Sequence, residues 1–383
     1  MADSIYMNNA ATTWPKPEQV YRAIDDFNRN LGANPGRGSN RNTLQAGMIL
    51  VETRDMLASL FNIADSNNIA FALNVTQAIN MALKGILKPG DHAIITGMEH
   101  NAVARPLFWL EKQGVEISLA PCAPDGSLDP AAMEALCREN TRVICMLHAS
   151  NVTGTIMPVE EVGRVARRRG IVFIVDAAQT AGVLPIDVEQ MNIDILCFAG
   201  HKGLLGPQGT GGLYVNPDID IATIIQGGTG SLSEFTVQPD FMPDKLESGT
   251  LNTPGIAGLL AGLQYLRETG LQQIRNHEKK LTDMLITGLQ EIKGVTLYGP
   301  RDSNRQTAVV LINLEGMDCG ELSSLLDHKY GIITRSGLHC APMAHRTIGT
   351  LKAGGCRFSP GLFTTEKDIA KTCQAVYAIA NNR

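Results

Sequence analysis

The sequence holds no CxxC pair, no apolar run long enough to cross a bilayer, no basic-then-apolar segment at its N-terminus and no surplus of positive charge. Each absence removes a class of function. A net charge of -5 speaks against a protein that grips nucleic acid by bulk charge, because neutralising phosphates takes a concentrated Lys/Arg surface. The longest basic run, Arg167 to Arg169, precedes the apolar stretch IVFIVD and reads as a solvated helix end, where cations suit the negative pole of the helix dipole. The missing apolar runs and leader set the expectation of a cytoplasmic chain with no membrane partner. Eight cysteines scattered through 383 residues form neither a disulfide framework nor a zinc-finger spacing. Cys145 in VICML and Cys197 in ILCFA read as buried thiols in strands.

What is present is 44% hydrophobic content over 383 residues, more than one compact core usually holds. Two domains are expected: residues 15–255, and a smaller unit made of residues 1–14 and 256–383. From about residue 69 to 215, β-rich runs such as IAFALN, DHAIIT, VEISLA, RVICMLH, IVFIVD and DILCFAG alternate with helical patterns, among them helices near 129–139 and 158–169. Such alternation predicts an α/β fold with a mostly parallel sheet, whose ligands gather at the carboxyl ends of the strands. After GLYV at 212–215 the density of Gly, Ser and Pro over residues 224–255 predicts a long ordered loop, and loops of that length in a compact chain are usually functional. A long helix over 255–292, strands at TAVVLINL and YGIITRSG and a final helix over 364–381 predict a smaller α+β C-terminal domain.

Three local patterns carry chemistry. In FAGHKGLLGPQGTGG, Lys202 leaves an apolar strand into a turn with glycines at 200, 203 and 206, which lets a ligand approach the backbone; an ordinary surface loop would read the same way. In IVFIVDAAQ, Asp176 ends a buried strand, where a carboxylate needs a cationic partner unless it caps the next helix. A protonated pyridine nitrogen would serve, and a lysine with an aspartate on that nitrogen is the protein signature around pyridoxal phosphate. In LNVTQAINMAL, Thr76 and Gln77 open a helix, so its first N–H groups can hold a phosphate, unless Thr76 is a plain N-cap.

Taken in order, VTQA, MEHN, SNVTGT, VDAAQ, GHK and LESGTLNT resemble the class V aminotransferase-like pyridoxal-phosphate enzymes of fold type I, within them the cysteine desulfurase and selenocysteine lyase group. The likeness runs from YMNNAATTWPKP at 6–17 to CRFSP at 356–360. It implies a mostly parallel mixed sheet in the large domain and pyridoxal 5'-phosphate held by Lys202. Asp176 would pair the pyridinium nitrogen, Gln179 would reach the phenolic oxygen and His100 would stack on the ring. Asn151 would orient cofactor and substrate. Thr76, Gln77 and His201 would bind the phosphate, with Thr250 donated across a homodimer interface. Arg357 would clamp the substrate carboxylate, with Arg335, Asn8 and, more remotely, Arg37 bordering the pocket. One departure is Ala199, where the family often carries a serine before the lysine, so one phosphate hydrogen bond is absent or supplied by water.

RSGLHCAPMAH, residues 335–345, leaves three jobs for Cys340: attacking thiolate, metal ligand with His339 and His345, or buried apolar thiol. The spacings match no common zinc pattern, so no metal is expected. A polar, glycine-bearing loop is a poor place for a core residue. The resemblance places the persulfide-forming cysteine here, 17 residues before Arg357, on a compact catalytic loop, and implies conversion of L-cysteine to L-alanine with transfer of the sulfur to an acceptor protein. His339 or His345 is expected to lower the thiol pKa or relay its proton. The alternatives are a selenocysteine lyase acting on L-selenocysteine, a class V lyase or aminotransferase in which Cys340 is incidental, and a catalytically silent scaffold or sulfur-carrier-binding protein.

Overall fold

A computed structural model describes residues 4–36, 38 and 40–381; Arg37 lies outside them. In chain order the elements are β1 (Ile5–Tyr6), α1 (Glu18–Asp26), α2 (Arg41–Phe61), β2 (Ile69–Ala72), α3 (Val75–Ile86), β3 (His92–Thr96), α4 (Asn101–Glu111), β4 (Glu116–Ala120), α5 (Pro130–Glu134), β5 (Thr141–Leu147), α6 (Val159–Arg169), β6 (Val172–Asp176), β7 (Ile195–Ala199) and β8 (Gly211–Val215). Then follow α7 (Thr253–Thr269), α8 (Leu271–Gln290), β9 (Val295–Tyr298), β10 (Val310–Leu314), α9 (Cys319–Tyr330), β11 (Ile332–Ile333), β12 (Arg335–Gly337), α10 (Pro342–Thr347), β13 (Gly355–Phe358) and α11 (Glu366–Asn381).

The expected alternation forms a seven-stranded sheet ordered β2-β8-β7-β6-β5-β3-β4. Only β8 runs against its neighbours β2 and β7, so all the other strands point the same way. Strands β3, β6, β7 and β8 are buried along their whole length, which is why they read as unbroken apolar runs rather than alternating ones. Apolar clusters cover both faces: Ile79, Leu83, Val103 and Leu107 on one, Phe61, Phe173, Phe198 and Leu259 on the other.

A four-stranded sheet, β12-β13-β10-β9, is antiparallel throughout and packs with α8, α9 and α11 around Leu285, Leu289, Leu322, Leu326 and Val376. The N-terminal β1 pairs with β11, so the first residues join this second core. Two expectations need correcting. The long helix is two helices, because Gly270 takes φ 86°, a left-handed setting that ends α7 and turns the chain into α8. The helix expected near 129–139 stops after five residues. Strands β9 and β13 were not anticipated. No helix among the described residues is long and apolar enough to cross a membrane.

Residues 216–252 carry no helix or strand, as expected of the long loop. A buried ion pair pins it. Arg54 Nη2 donates to both carboxylate oxygens of Glu247 at 2.8 and 2.7 Å, Arg54 Nε donates to the Ile69 carbonyl, and the Phe71 N–H donates to Glu247. Removing one partner strands the other charge in the interior. Glu247→Ala is therefore expected to destabilise the protein by about 3–5 kcal/mol, read as a lower urea midpoint, whereas a shift below about 1 kcal/mol would show the pair to be dispensable.

Candidate active site

Because six strands share one direction, their carboxyl ends form a common rim, and five of them deliver a candidate residue there. Thr76 and Gln77 follow β2, His100 follows β3, Asn151 follows β5, Asp176 ends β6 and Lys202 stands just past β7. Backbone packing fixes the last two relative to each other. A Cβ on Gly203 would lie 2.5 Å from the Ala181 carbonyl oxygen, and one on Gly182 would lie 2.4 Å from that of Gly203. The lysine turn thus stacks directly on the turn that follows Asp176, at a closeness only glycine allows.

Asp176 is buried, and burial raises its carboxyl pKa against the opposing pull of the Ala178 N–H and the Lys202 charge. Its Oδ1 accepts from Ala178 N–H at 2.9 Å. Burial pushes Lys202 down to about 8; Arg357 and Arg335 push the same way, while Asp176 and Cys340 oppose. A lysine so placed gives up its proton far more readily than an exposed one. Together the two offer a base and an anion suited to a cationic ring nitrogen.

His100 caps α4, its Nδ1 accepting the Ala102 N–H, which leaves the proton on Nε2. Burial, Lys202 and Arg335 hold its pKa down to about 4, so the ring is neutral. Arg357 is fully buried in the middle of β13, with Nη1 on the Asn151 carbonyl at 2.8 Å, Nη2 on Asn8 Oδ1 at 3.0 Å and Nε unpaired. Burial lowers its pKa to about 9. No carboxylate lies within ion-pair reach of it among the described residues, so an incoming one would complete it. Asn151 donates to the His339 carbonyl and leaves Oδ1 buried and unpaired.

An N-terminal strap ties these parts together. Asn8 holds Arg357, the Ala10 carbonyl accepts from Gln179 Nε2 at 3.0 Å, and Thr12, Thr13 and Lys16 all donate to the His201 carbonyl. The strap was legible only as a matching stretch; nothing in the sequence showed which groups it grips. At the anion end, the cap of α3 is Asn74, not Thr76: its Oδ1 takes the Gln77 N–H. Thr76 is exposed, His201 Nδ1 is buried without a partner, and Ala199 is buried at the end of β7. Gln77 and Thr250 line one cavity; Thr250 is itself exposed, with Asn34 Nδ2 at 3.4 Å. The unpaired donors suit an anion at a helix N-terminus.

Cys340 is the one exposed cysteine. Both it and His339 take left-handed backbone angles, φ 57° and 51°, a strained pair that turns the loop outward. Asn101 N–H on the Cys340 carbonyl and Asn151 on the His339 carbonyl hold that turn to the rim. The expectation that a histidine serves the thiol does not hold in this geometry. Thr350 Oγ1 donates to His345 Nδ1 at 2.7 Å, His345 Nε2 donates to His339 Nδ1 at 3.2 Å, and His339 Nε2 donates to the Arg335 carbonyl at 3.1 Å. Both rings are buried, and burial drives His339 down to about 3 and His345 to about 4. They brace the loop. The thiol's partner is Arg335, with Nη2 3.5 Å from Sγ; Arg335 stands opposite Arg357 across β12 and β13.

Comparison with known proteins gives a consistent set of relatives. The family model described as aminotransferase class-V matches residues 5–371. A probable cysteine desulfurase of Methanothermobacter thermautotrophicus is 34% identical, covering 99% of this chain and 96% of its own length. A cysteine desulfurase of Pectobacterium atrosepticum is 34% identical, covering 95% of this chain and 90% of its own. Among solved structures, the apo cysteine desulfurase of Thermococcus onnurineus superposes with a TM-score of 0.92 at 29% identity, over 99% of this chain and 95% of the other.

Proposed function

The chain belongs to the class V aminotransferase family, and from that premise we propose that it is a cysteine desulfurase whose sulfur acceptor is Cys340. The observation that carries this reading is the exposed Cys340 thiol on a strained loop, beside Arg335, at a rim that also holds Lys202, Asp176 and Arg357. A silent scaffold has no use for a buried lysine with a depressed pKa or a buried arginine without an acid partner.

The residues fit pyridoxal 5'-phosphate. Lys202 would hold it, Asp176 would face its ring nitrogen, His100 would cover the ring, and Gln179 would contribute its second amide hydrogen. The unpaired His201 Nδ1, the Thr76 hydroxyl and the first N–H groups of α3 would take the phosphate with Gln77. Thr250 of a second copy would complete that cradle in a homodimer. When bound, this cofactor serves as an electron sink for a carbanion at the substrate Cα.

The chain does the rest. Arg357 receives the carboxylate of L-cysteine through its open Nε edge, and Asn151 Oδ1 orients the amino end. Lys202, as the neutral amine, removes the Cα proton. Cys340 then attacks the substrate sulfur: the new S–S bond forms as the C–S bond breaks, and its electron pair stays with the carbon skeleton. Protonation of that skeleton yields L-alanine, and Cys340 is left as a persulfide for an acceptor protein. His100 Nε2–H is placed to hold a proton over the reacting face. The cytoplasm suits a chain whose eight cysteines are all free.

The activity is tested by incubating the protein with L-cysteine and a thiol reductant and measuring alanine and sulfide; equal amounts of the two are expected, and neither would appear if the reading were wrong. Running L-selenocysteine alongside measures selenium preference. Arg335→Leu removes the one side-chain contact of the sulfur, 3.5 Å away, and should slow sulfide release from L-cysteine about tenfold by leaving the thiol without its partner. An unchanged rate would release Arg335 from that role.

A further inference from the structure

Behind Asp176 lies a second carboxyl group that the reaction above does not use. Glu99, in the turn between β3 and α4, is fully buried. Its Oε1 accepts the Thr96 hydroxyl at 2.6 Å and the Leu147 N–H at 3.3 Å, while Oε2 is buried with no partner. Strand β3 has ended at Thr96, so this side chain stands where the next backbone acceptor would have met β5. Leu147 is in turn the register partner of Asp176 on β6, and the next residue, His148, donates its N–H to the Asp176 carbonyl. The two carboxyl groups therefore stand on either side of one strand end.

We propose that Glu99 is a positioning residue for Asp176: the pair holds one proton, carried by Glu99, so that the negative charge facing the ring nitrogen resides on Asp176. The physical ground is an imbalance of partners. A buried carboxylate needs a cation or a full set of donors, and Glu99 has no cationic partner and one bare oxygen. Asp176 has the Ala178 N–H together with the Lys202 charge in the free protein or, on the reading above, the cofactor nitrogen in the loaded one. Two neighbouring acids cannot both ionise cheaply, and the proton goes to the one with fewer partners.

The other titratable groups facing Glu99 cannot supply its missing charge. Cys145 of β5 and Cys122 beyond β4 are thiols that burial raises, Cys122 to about 11, and so stay neutral. His148, whose Nδ1 is buried and unpaired, is held down to about 4 and is neutral as well. Burial and the Asp176 charge raise Glu99 to about 8. The folded chain thus keeps a proton that the unfolded chain gives up near 4.5, and stability falls as pH rises between those values, then levels off.

The catalytic consequence rests on Asp176 facing a cofactor nitrogen; the protonation itself does not, and the two are separable by experiment. In the apoprotein, infrared titration is expected to show a protonated carboxyl band at pH 7 that is missing from Glu99→Gln. The melting temperature of wild type should fall relative to that variant between pH 5 and pH 8. A wild-type band that has vanished by pH 7.5, just past the Glu278 carboxyl that burial raises to about 7, would overturn the proposal, and because that reading needs only wild type it stands even if the variant fails to fold. In the holoenzyme, Glu99→Gln should keep kcat for L-cysteine within about threefold at pH 7 and lose a wild-type activity limb near pH 8. Identical alkaline limbs with the apoprotein band present would confine Glu99 to bracing β5 and overturn its role toward Asp176.

Discussion

Lys202→Ala is expected to lower desulfuration of L-cysteine by at least on the order of 10⁴-fold, the upper end of what a positioned general base contributes. The site offers no substitute. His100 is neutral with a pKa held to about 4, and His339 and His345 are committed to each other. Lys16, brought down to about 7 by burial, is anchored on the His201 carbonyl and does not reach past the turn. Borohydride is expected to fix a chromophore to Lys202 in the wild type and none in the variant. Its fold should persist, because the lysine turn is held by Thr12, Thr13 and the glycine contact with residues 181–183 rather than by the amine. Activity within tenfold of wild type would remove Lys202 from the reaction.

Cys340→Ala should cost a similar factor, on the order of 10⁴ or more, in sulfide release, since the step that breaks the C–S bond loses its acceptor. The substitution is a clean one. Cys340 is exposed and its thiol touches only Arg335 by hydrogen bond, so stability should change by less than about 0.5 kcal/mol. Alanine keeps a Cβ, so the left-handed backbone at φ 57° is no more strained than before. Binding of L-cysteine should survive, visible as an unchanged spectral response to it. A variant that still releases sulfide at the wild-type rate would point to a lyase in which the thiol is incidental.

The sheet was readable because its strands are buried on both faces and show as apolar runs ending at Asp176 or just short of Lys202. Long-range partnerships were not. Strand β13 carries Arg357 at its centre, which looks like a surface residue until Asn8 and Asn151 are placed around it. The histidines flanking Cys340 looked like its acid and base because they are its neighbours in sequence. The Arg335 carbonyl, which can only accept, fixes their tautomers, and Thr350, five residues past His345, closes the chain that turns them inward; a one-dimensional reading gives neither group any weight. Arg335 lies five residues from Cys340, yet its contact depends on the left-handed turn at His339 and Cys340, a conformation no residue type there announces. Gly270 could have been found: a glycine after RET at the end of an apolar helix is a common stop.

The central claim is that Cys340 takes the substrate's sulfur atom. It is tested most directly by reacting the holoenzyme with one equivalent of L-cysteine without reductant, alkylating, and mapping the cysteine peptides by mass spectrometry. One additional sulfur on the peptide containing Cys340, matched by one equivalent of alanine, is the predicted result. Alanine formed with that peptide unmodified, or with the extra sulfur on another of the eight cysteines, would contradict it.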